Sequence, residues 1–231
     1  MARQRTRLYD PGHRVEVPVT GPRGEWPLSG TVKPYGRHVL VCTGARSWPA
    51  RIEEAGGLLG RMARDVRALR ETSATPPKLT ASDEPSTGQG TDLLVFPESV
   101  RYHGVDEATW PAVLADHVIG GEVSTAAPSA PLTGVHVFVC VHAARDERCG
   151  RCGPPVIAAL RKACAAEGVA DATVRATSHV GGHKYAGNVL IYPGGAWYGY
   201  VRPADARRIV RDHIRDGRIV EELCRGRMEP T

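Results

Sequence analysis

No stretch of this chain approaches the roughly twenty consecutive apolar residues that a membrane-spanning helix needs, and its first residues, MARQRTRLYDPGHR, lack the apolar core of a secretion signal. These two absences predict a cytoplasmic protein with no membrane partner. Cysteine is sparse and unevenly placed, six in 231 residues, which excludes a disulfide scaffold; in a reducing compartment, the clustered ones are better explained by metal or redox use. No basic run exceeds two residues and no aromatic-rich binding motif is present, so a net charge of +5 does not argue for nucleic acid. The basic residues, 26 arginines among 30, are interspersed with acids and read as solvated surface that could steer an acidic redox partner. Nucleophile elbow, phosphate loop and dinucleotide fingerprint are all missing, since the Gly-Gly pairs at 56, 120, 181 and 194 lack the required pattern. No carboxylates pair at identifiable glycosidase positions.

What the chain does have is concentrated in residues 136–183, HVFVCVHAARDERCGRCGPPVIAALRKACAAEGVADATVRATSHVGGH. This stretch holds four of six cysteines and four of nine histidines, a density of soft donors easier to explain by a metal than by packing. Cys140 closes an apolar run that reads as a buried strand; Cys149 follows after eight residues, and Cys152 begins the approach to a helix expected over 154–166. A second strand, 172–178, delivers His179 and His183 around Gly181-Gly182, where the lack of a Cβ lets backbone approach a bulky inorganic group. The pattern is Cys-x8-Cys, 29 residues, His-x3-His. Cys164, within an amphipathic helix, and Cys224, near the end of the chain, read as small packing residues.

The two halves of the chain look alike. His38-Val-Leu-Val-Cys42 matches His136-Val-Phe-Val-Cys140 at an offset of 98, while Leu94-Val-Phe-Pro97 matches Leu190-Ile-Tyr-Pro193 and Asp116-His117 matches Asp212-His213, both at 96. The expected organisation is an extended N-terminal segment over 1–37 with short pieces VEVPV and GTVKPYG, a first half over 38–123, a linker over 124–133 and a second half over 134–231. Strands are expected at 39–43 and 93–96 and helices at 51–69 and 109–119 in the first half, with 72–91 as a mobile polar loop. In the second half, strands at 137–141, 173–177, 189–192 and 197–201 alternate with helices at 154–166 and 204–215. Such alternation predicts an α/β fold of two thioredoxin-like halves related by internal duplication, the second carrying the metal site. Local offsets carry Cys140 onto Cys42 but put Arg51, Asp83 and Thr87 where Cys149, His179 and His183 stand, so the first half reads as a degenerate copy.

The donor pattern resembles that of the thioredoxin-like [2Fe-2S] ferredoxins, with histidines in the last two positions. It is more similar to the sucrase/ferredoxin-like family, and HVLVCTGARSWPARIE and NVLIYPGGAWYG extend that resemblance from about His38 onward. The resemblance implies a [2Fe-2S] cluster held by Cys140, Cys149, His179 and His183. It also implies a one-electron carrier rather than a stand-alone enzyme, reduction coupled to proton uptake at the imidazoles, and a redox-protein partner, either reductase or acceptor.

Other readings stay open at this level. Structural zinc could use Cys140, Cys149, Cys152 and one histidine. A thiol-disulfide oxidoreductase could use the Cys149-Gly-Arg-Cys152 dithiol at a helix start, although no proline stands in Tyr185-Ala-Gly-Asn188, where thioredoxins have theirs. A Rieske arrangement finds its Cys-x-His half in Cys140-Val-His142 but not its second half, leaving His142 as a support for a ligand or a surface residue. Cys152 is expected as an alternate ligand or a neighbour of the cluster. His38 and His136 read as structural, and Trp197 and Tyr198 as core or a cofactor shield.

Overall fold

Two apolar runs, each with a histidine near its start and a cysteine at its end, become the central strands of the molecule, because a strand covered on both faces must be apolar almost throughout. The computed structural model describes Gly24 and residues 26–228; the expected extended piece at 15–19 lies outside them. The first half runs β1 (His38–Cys42), α1 (Gly57–Ala68), β2 (Lys78–Ser82), β3 (Thr91–Phe96), β4 (Val100–Val105), α2 (Trp110–Val113, continued by a π-helical segment Leu114–Ile119) and β5 (Ser129–Pro131). The second runs β6 (Val135–Cys140), α3 (Glu147–Ala166), β7 (Ala172–Thr177), β8 (Val189–Tyr192), β9 (Ala196–Tyr198), α4 (Ala206–Arg208, continued by a π-helical segment Ile209–Arg215) and β10 (Cys224–Arg227).

All ten strands join one sheet in the order β10-β9-β8-β6-β7-β2-β1-β3-β4-β5. In each half the first two strands are parallel across a helical crossover, the third is antiparallel to the first, and the fourth is antiparallel to the third. This is the α/β, thioredoxin-like arrangement expected from the sequence, and it occurs in both halves. The halves meet at β2 and β7 through a single backbone pairing, Ser82 with Thr177. Side chains reinforce it: Thr177 Oγ1 donates to Ala81 O at 3.0 Å, Ser82 Oγ to Ala176 O at 3.0 Å, and Asp83 Oδ1 accepts from Ala176 N at 2.7 Å.

Alternation along the central strands sorts side chains into three cores. Val39 and Val41 face α1 and α2, and Val137 and Val139 face α3 and α4, so each half has its own core. Leu40, Cys42, Phe138 and Cys140 point the other way into a cluster shared by both halves. There Phe96 and Tyr192, matching residues of the two halves, stack with centroids 4.2 Å apart, an aromatic contact worth about 1 kcal/mol beyond its buried area. A buried polar chain crosses the same region. Trp197 Nε1 donates to Tyr35 OH at 2.6 Å, Tyr35 OH lies 3.0 Å from Tyr192 OH, and His38 bridges Tyr192 OH at 2.6 Å to Thr80 Oγ1 at 2.9 Å. Both His38 and His136 are buried and hydrogen-bonded, as expected of structural histidines.

Several expectations are corrected. The polar stretch 72–91 contains β2, whose Leu79, Thr80, Ala81 and Ser82 are buried; the alternation of size was obscured by Pro, Ser and Thr on either side. β4 and β10 were not expected, and the 124–133 segment contributes β5 to the sheet edge. Helix α3 starts at Glu147 rather than 154, because Asp146 caps it by accepting from Arg148 N, and Pro154 and Pro155 lie inside it rather than at its first turn. By strand register Cys42 faces Ser82 as Cys140 faces Thr177, so Glu84, not Asp83, corresponds to His179.

Candidate metal centre

Cys140 ends β6, Cys149 occupies the first turn of α3, and His179 follows β7 by one residue beyond Ser178. A close approach of helix to strand brings the two thiols together. A Cβ on Gly153 would sit 2.4 Å from Cys140 O, so only glycine lets α3 lie this near the end of β6. The result is a group of three donors, Cys140 Sγ, Cys149 Sγ and a His179 ring nitrogen, all within 4.8 Å of one another. Both cysteines are fully buried and His179 is partly so.

The two thiols are chemically unlike. Cys140 is held well below the ordinary thiol range, first by the hydrogen bond from Cys149, with further bonds from His179 and from the backbone N–H groups of His142 and Val180 outweighing its burial. Cys149 is pushed up, because its proton is the one given to Cys140 and because it is buried. Cys42, at the matching position in the first half, has no such donors, and burial pushes it up to about 12.

His179 is positioned through its backbone. Its N–H donates to His142 Nδ1 at 3.1 Å, and the other ring nitrogen of His142 lies 3.1 Å from Trp48 O. Both nitrogens of buried His142 are therefore used, so it is neither a ligand nor a surface residue but a strut between Trp48 and the His179 backbone. His179 Nδ1 is buried and has no hydrogen-bond partner, an orphaned donor site of the kind a metal satisfies. His183 stands at the rim, exposed, its ring 5.8 Å from that of His179 and its Nδ1 3.7 Å from Asp146 Oδ2. The structure thus brings three of the four expected residues together and places His183 beside them. Cys152 is buried on the next turn of α3 and does not join the three-donor group.

The loop between the two histidines is pinned carbonyl by carbonyl. Lys78 Nζ donates to Val180 O at 3.0 Å, Arg225 Nη1 to Gly181 O at 3.4 Å, and Asn188 Nδ2 to Gly182 O at 3.0 Å. Gly182 has φ +72°, and a Cβ there would meet the Arg225 guanidinium at 2.4 Å. Trp197 lies between the two cations, 5.2 Å from Lys78 Nζ and 5.5 Å from Arg225 Cζ, so it braces the loop from the core. Burial lowers Lys78 to about 8 and Arg225 to about 10, and neither has a carboxylate partner among the described residues. Lys78, Arg225, Asn188 and Trp48 were not singled out by the sequence. Their only signal there is that Lys78 is one of four lysines.

Two buried thiol sulfurs, with one imidazole beside them and a second histidine at the rim, make a soft-donor set that fits an iron–sulfur centre. The family model described as Sucrase/ferredoxin-like matches residues 28–226. Curated relatives named Altered inheritance of mitochondria protein 32 match at 43% identity over 93 residues in Clavispora lusitaniae and 39% over 95 in Debaryomyces hansenii, each match covering 39% of this chain and 34% of the relative. The chain therefore spans about a third of the length of those relatives. Their name points to a mitochondrial rather than a cytoplasmic protein, which overturns the cytoplasmic placement expected from the sequence. Among solved structures, the thioredoxin-like [2Fe-2S] ferredoxin from Aquifex aeolicus aligns at 27% identity with a TM-score of 0.36, over 42% of this chain and 94% of that one.

Proposed function

Since the chain belongs to the sucrase/ferredoxin-like family, we propose that its second half holds a [2Fe-2S] cluster on Cys140, Cys149, His179 and His183 and works as a one-electron carrier. The observation that carries this reading is the convergence of Cys140 Sγ, Cys149 Sγ and a His179 ring nitrogen within 4.8 Å of one another. When bound, the cluster supplies reversible one-electron redox chemistry. This chain's part is to present Cys140 as a thiolate, keep water from the two sulfurs by burial, hold His179 through His142, and fix the His179–His183 loop through Lys78, Arg225 and Asn188. His183 would complete the set from the rim, where Asp146 is near enough to orient its ring.

The competing chemistries fit less well. A reactive dithiol needs an accessible thiolate with a lowered pKa, whereas Cys149 is fully buried and pushed up by its bond to Cys140. A Cys3His zinc site needs Cys152 among the donors, and Cys152 does not join the group. No helix among the described residues is long and apolar enough to cross a membrane, and the partner we infer is a redox protein. Anaerobic purification followed by an absorption spectrum and iron and sulfide analysis tests the reading. Two irons and two sulfides per chain in a coloured protein are expected; colourless protein carrying zinc, or no metal, would overturn it.

A further inference from the structure

The cations of this chain differ sharply in how they are paired. Along the last helix and the turn after it, Arg207, Arg211, Arg215 and Arg218 meet the carboxylates of Glu167, Asp212 and Asp216, and Arg101 and Arg175 share Glu84. Beside His179 the pairing stops. Lys33, Arg70 and Arg145 are exposed and have no carboxylate within ion-pair distance among the described residues. All three line a recess of about 610 Å³ that reaches His179 and Val180. Arg70, Arg145 and His179 also line a second recess of about 240 Å³, together with Arg51 and Arg67. The only acid lining either recess is Glu53, which is already bound to Arg67 at 3.0 Å.

Both recesses reach His179, the half-buried member of the donor group. Cys140 and Cys149 are fully buried, while His179 is half-buried and His183 exposed. The cations are spread on long side chains over two recesses rather than converging on one point, a layout suited to a surface of opposite charge rather than to a single small anion. We propose that the cationic rim formed by Lys33, Arg70 and Arg145 beside His179 is the docking surface for an acidic one-electron redox protein. The proposal rests on the cluster reading. In the step it serves, one electron leaves the reduced site and reduces the oxidised metal centre of the docked partner; no bond forms or breaks and no proton need move between the proteins.

The test uses the full chain, reduced anaerobically and mixed in stopped flow with oxidised plastocyanin, an acidic acceptor, or with oxidised cytochrome c, a basic one. The second-order rate with plastocyanin should fall about tenfold or more from low to high salt, because screening removes the attraction. The rate with cytochrome c should rise or stay flat. Arg70→Glu and Arg145→Glu should each slow plastocyanin several-fold at low salt with an unchanged absorption spectrum, whereas Lys162→Glu, which changes net charge equally on exposed α3, should not. A salt-independent plastocyanin rate, a preference for cytochrome c at low salt, or an equal loss in Lys162→Glu would overturn the rim while leaving the carrier intact. A reduced protein that passes electrons to neither acceptor would instead sink the carrier reading, and the rim with it.

Discussion

Cys140 and Cys149 differ from the other four cysteines by what surrounds the sulfur rather than by burial, since five of the six are buried. Cys140 alone has its thiolate fed by a thiol, an imidazole and two backbone N–H groups. Changing Cys140 or Cys149 to Ser is accordingly expected to abolish or severely weaken cluster binding, because thiolate supplies both charge and covalency, while Cys152→Ser leaves most of the iron bound. Iron and sulfide content of the three variants decides it, and a cluster kept by Cys140→Ser but lost by Cys152→Ser would reverse the assignment. At this scale the sequence was informative where soft donors cluster: the resemblance carried by the Cys-x8-Cys and His-x3-His pattern singled out Cys140, Cys149 and His179, which lie together in the structure. The strut His142 was legible only as a histidine one strand position pair from Cys140, and the pins Lys78 and Arg225 were not legible at all. Their role depends on strand packing across the molecule, which leaves no local pattern.

At the level of elements, β2 shows why part of the fold stayed hidden. A five-residue strand flanked by proline and serine carries too little alternation to be distinguished from a loop, yet it delivers Lys78 to the loop of the second half. Lys78→Met removes a positive charge near the proposed reducible site, so the reduction potential should fall, by about 70 mV for a charge ~10 Å away at an effective dielectric of ~20. Lys78→Arg should keep most of it; a potential unmoved by Lys78→Met would assign Lys78 to packing alone. The π-helical segments after α2 and α4 repeat a second device. His117 and His213 meet Tyr102 and Tyr198 at 2.8 and 2.9 Å, and each tyrosine accepts a backbone N–H, from Ser124 and Val220. Burial lowers His117, and lowers His213 from 6.5 to about 4; it also lowers His136 and holds His38 well below its usual value. The unfolded chain therefore binds more protons than the folded one below pH 6.5, so stability is full above that value and is lost as pH falls toward 4. Urea unfolding followed between those limits should show the midpoint dropping, less steeply in His213→Gln, and a midpoint flat with pH would contradict the neutral buried histidines.

For the whole molecule, three sequence matches at offsets of 96 to 98 anticipated two halves of one topology, and strand order and direction repeat across the β2–β7 seam. What could not be read was how the halves cooperate. The shared core around Phe96 and Tyr192 and the reach of Lys78 across the seam arise only when the two halves join into one sheet. The first half contributes Lys78 to the loop beside His179 and part of the shared core. An oxidised [2Fe-2S] core carries a formal charge of +2, so four thiolates would bring the site to −2, whereas two thiolates and two neutral imidazoles bring it to zero, and a neutral site accepts an electron more readily. A coordinated imidazole also keeps an N–H that becomes less acidic as the site gains negative charge, so reduction couples to proton uptake above the oxidised-state histidine pKa. The measurement that tests this most directly is a redox titration at several alkaline pH values on the native protein and on His179→Cys and His183→Cys variants. The native potential should fall with rising pH and lie above those of the variants that keep their cluster; a pH-independent native potential, or one no higher than the variants', would contradict ligation by two cysteines and two histidines.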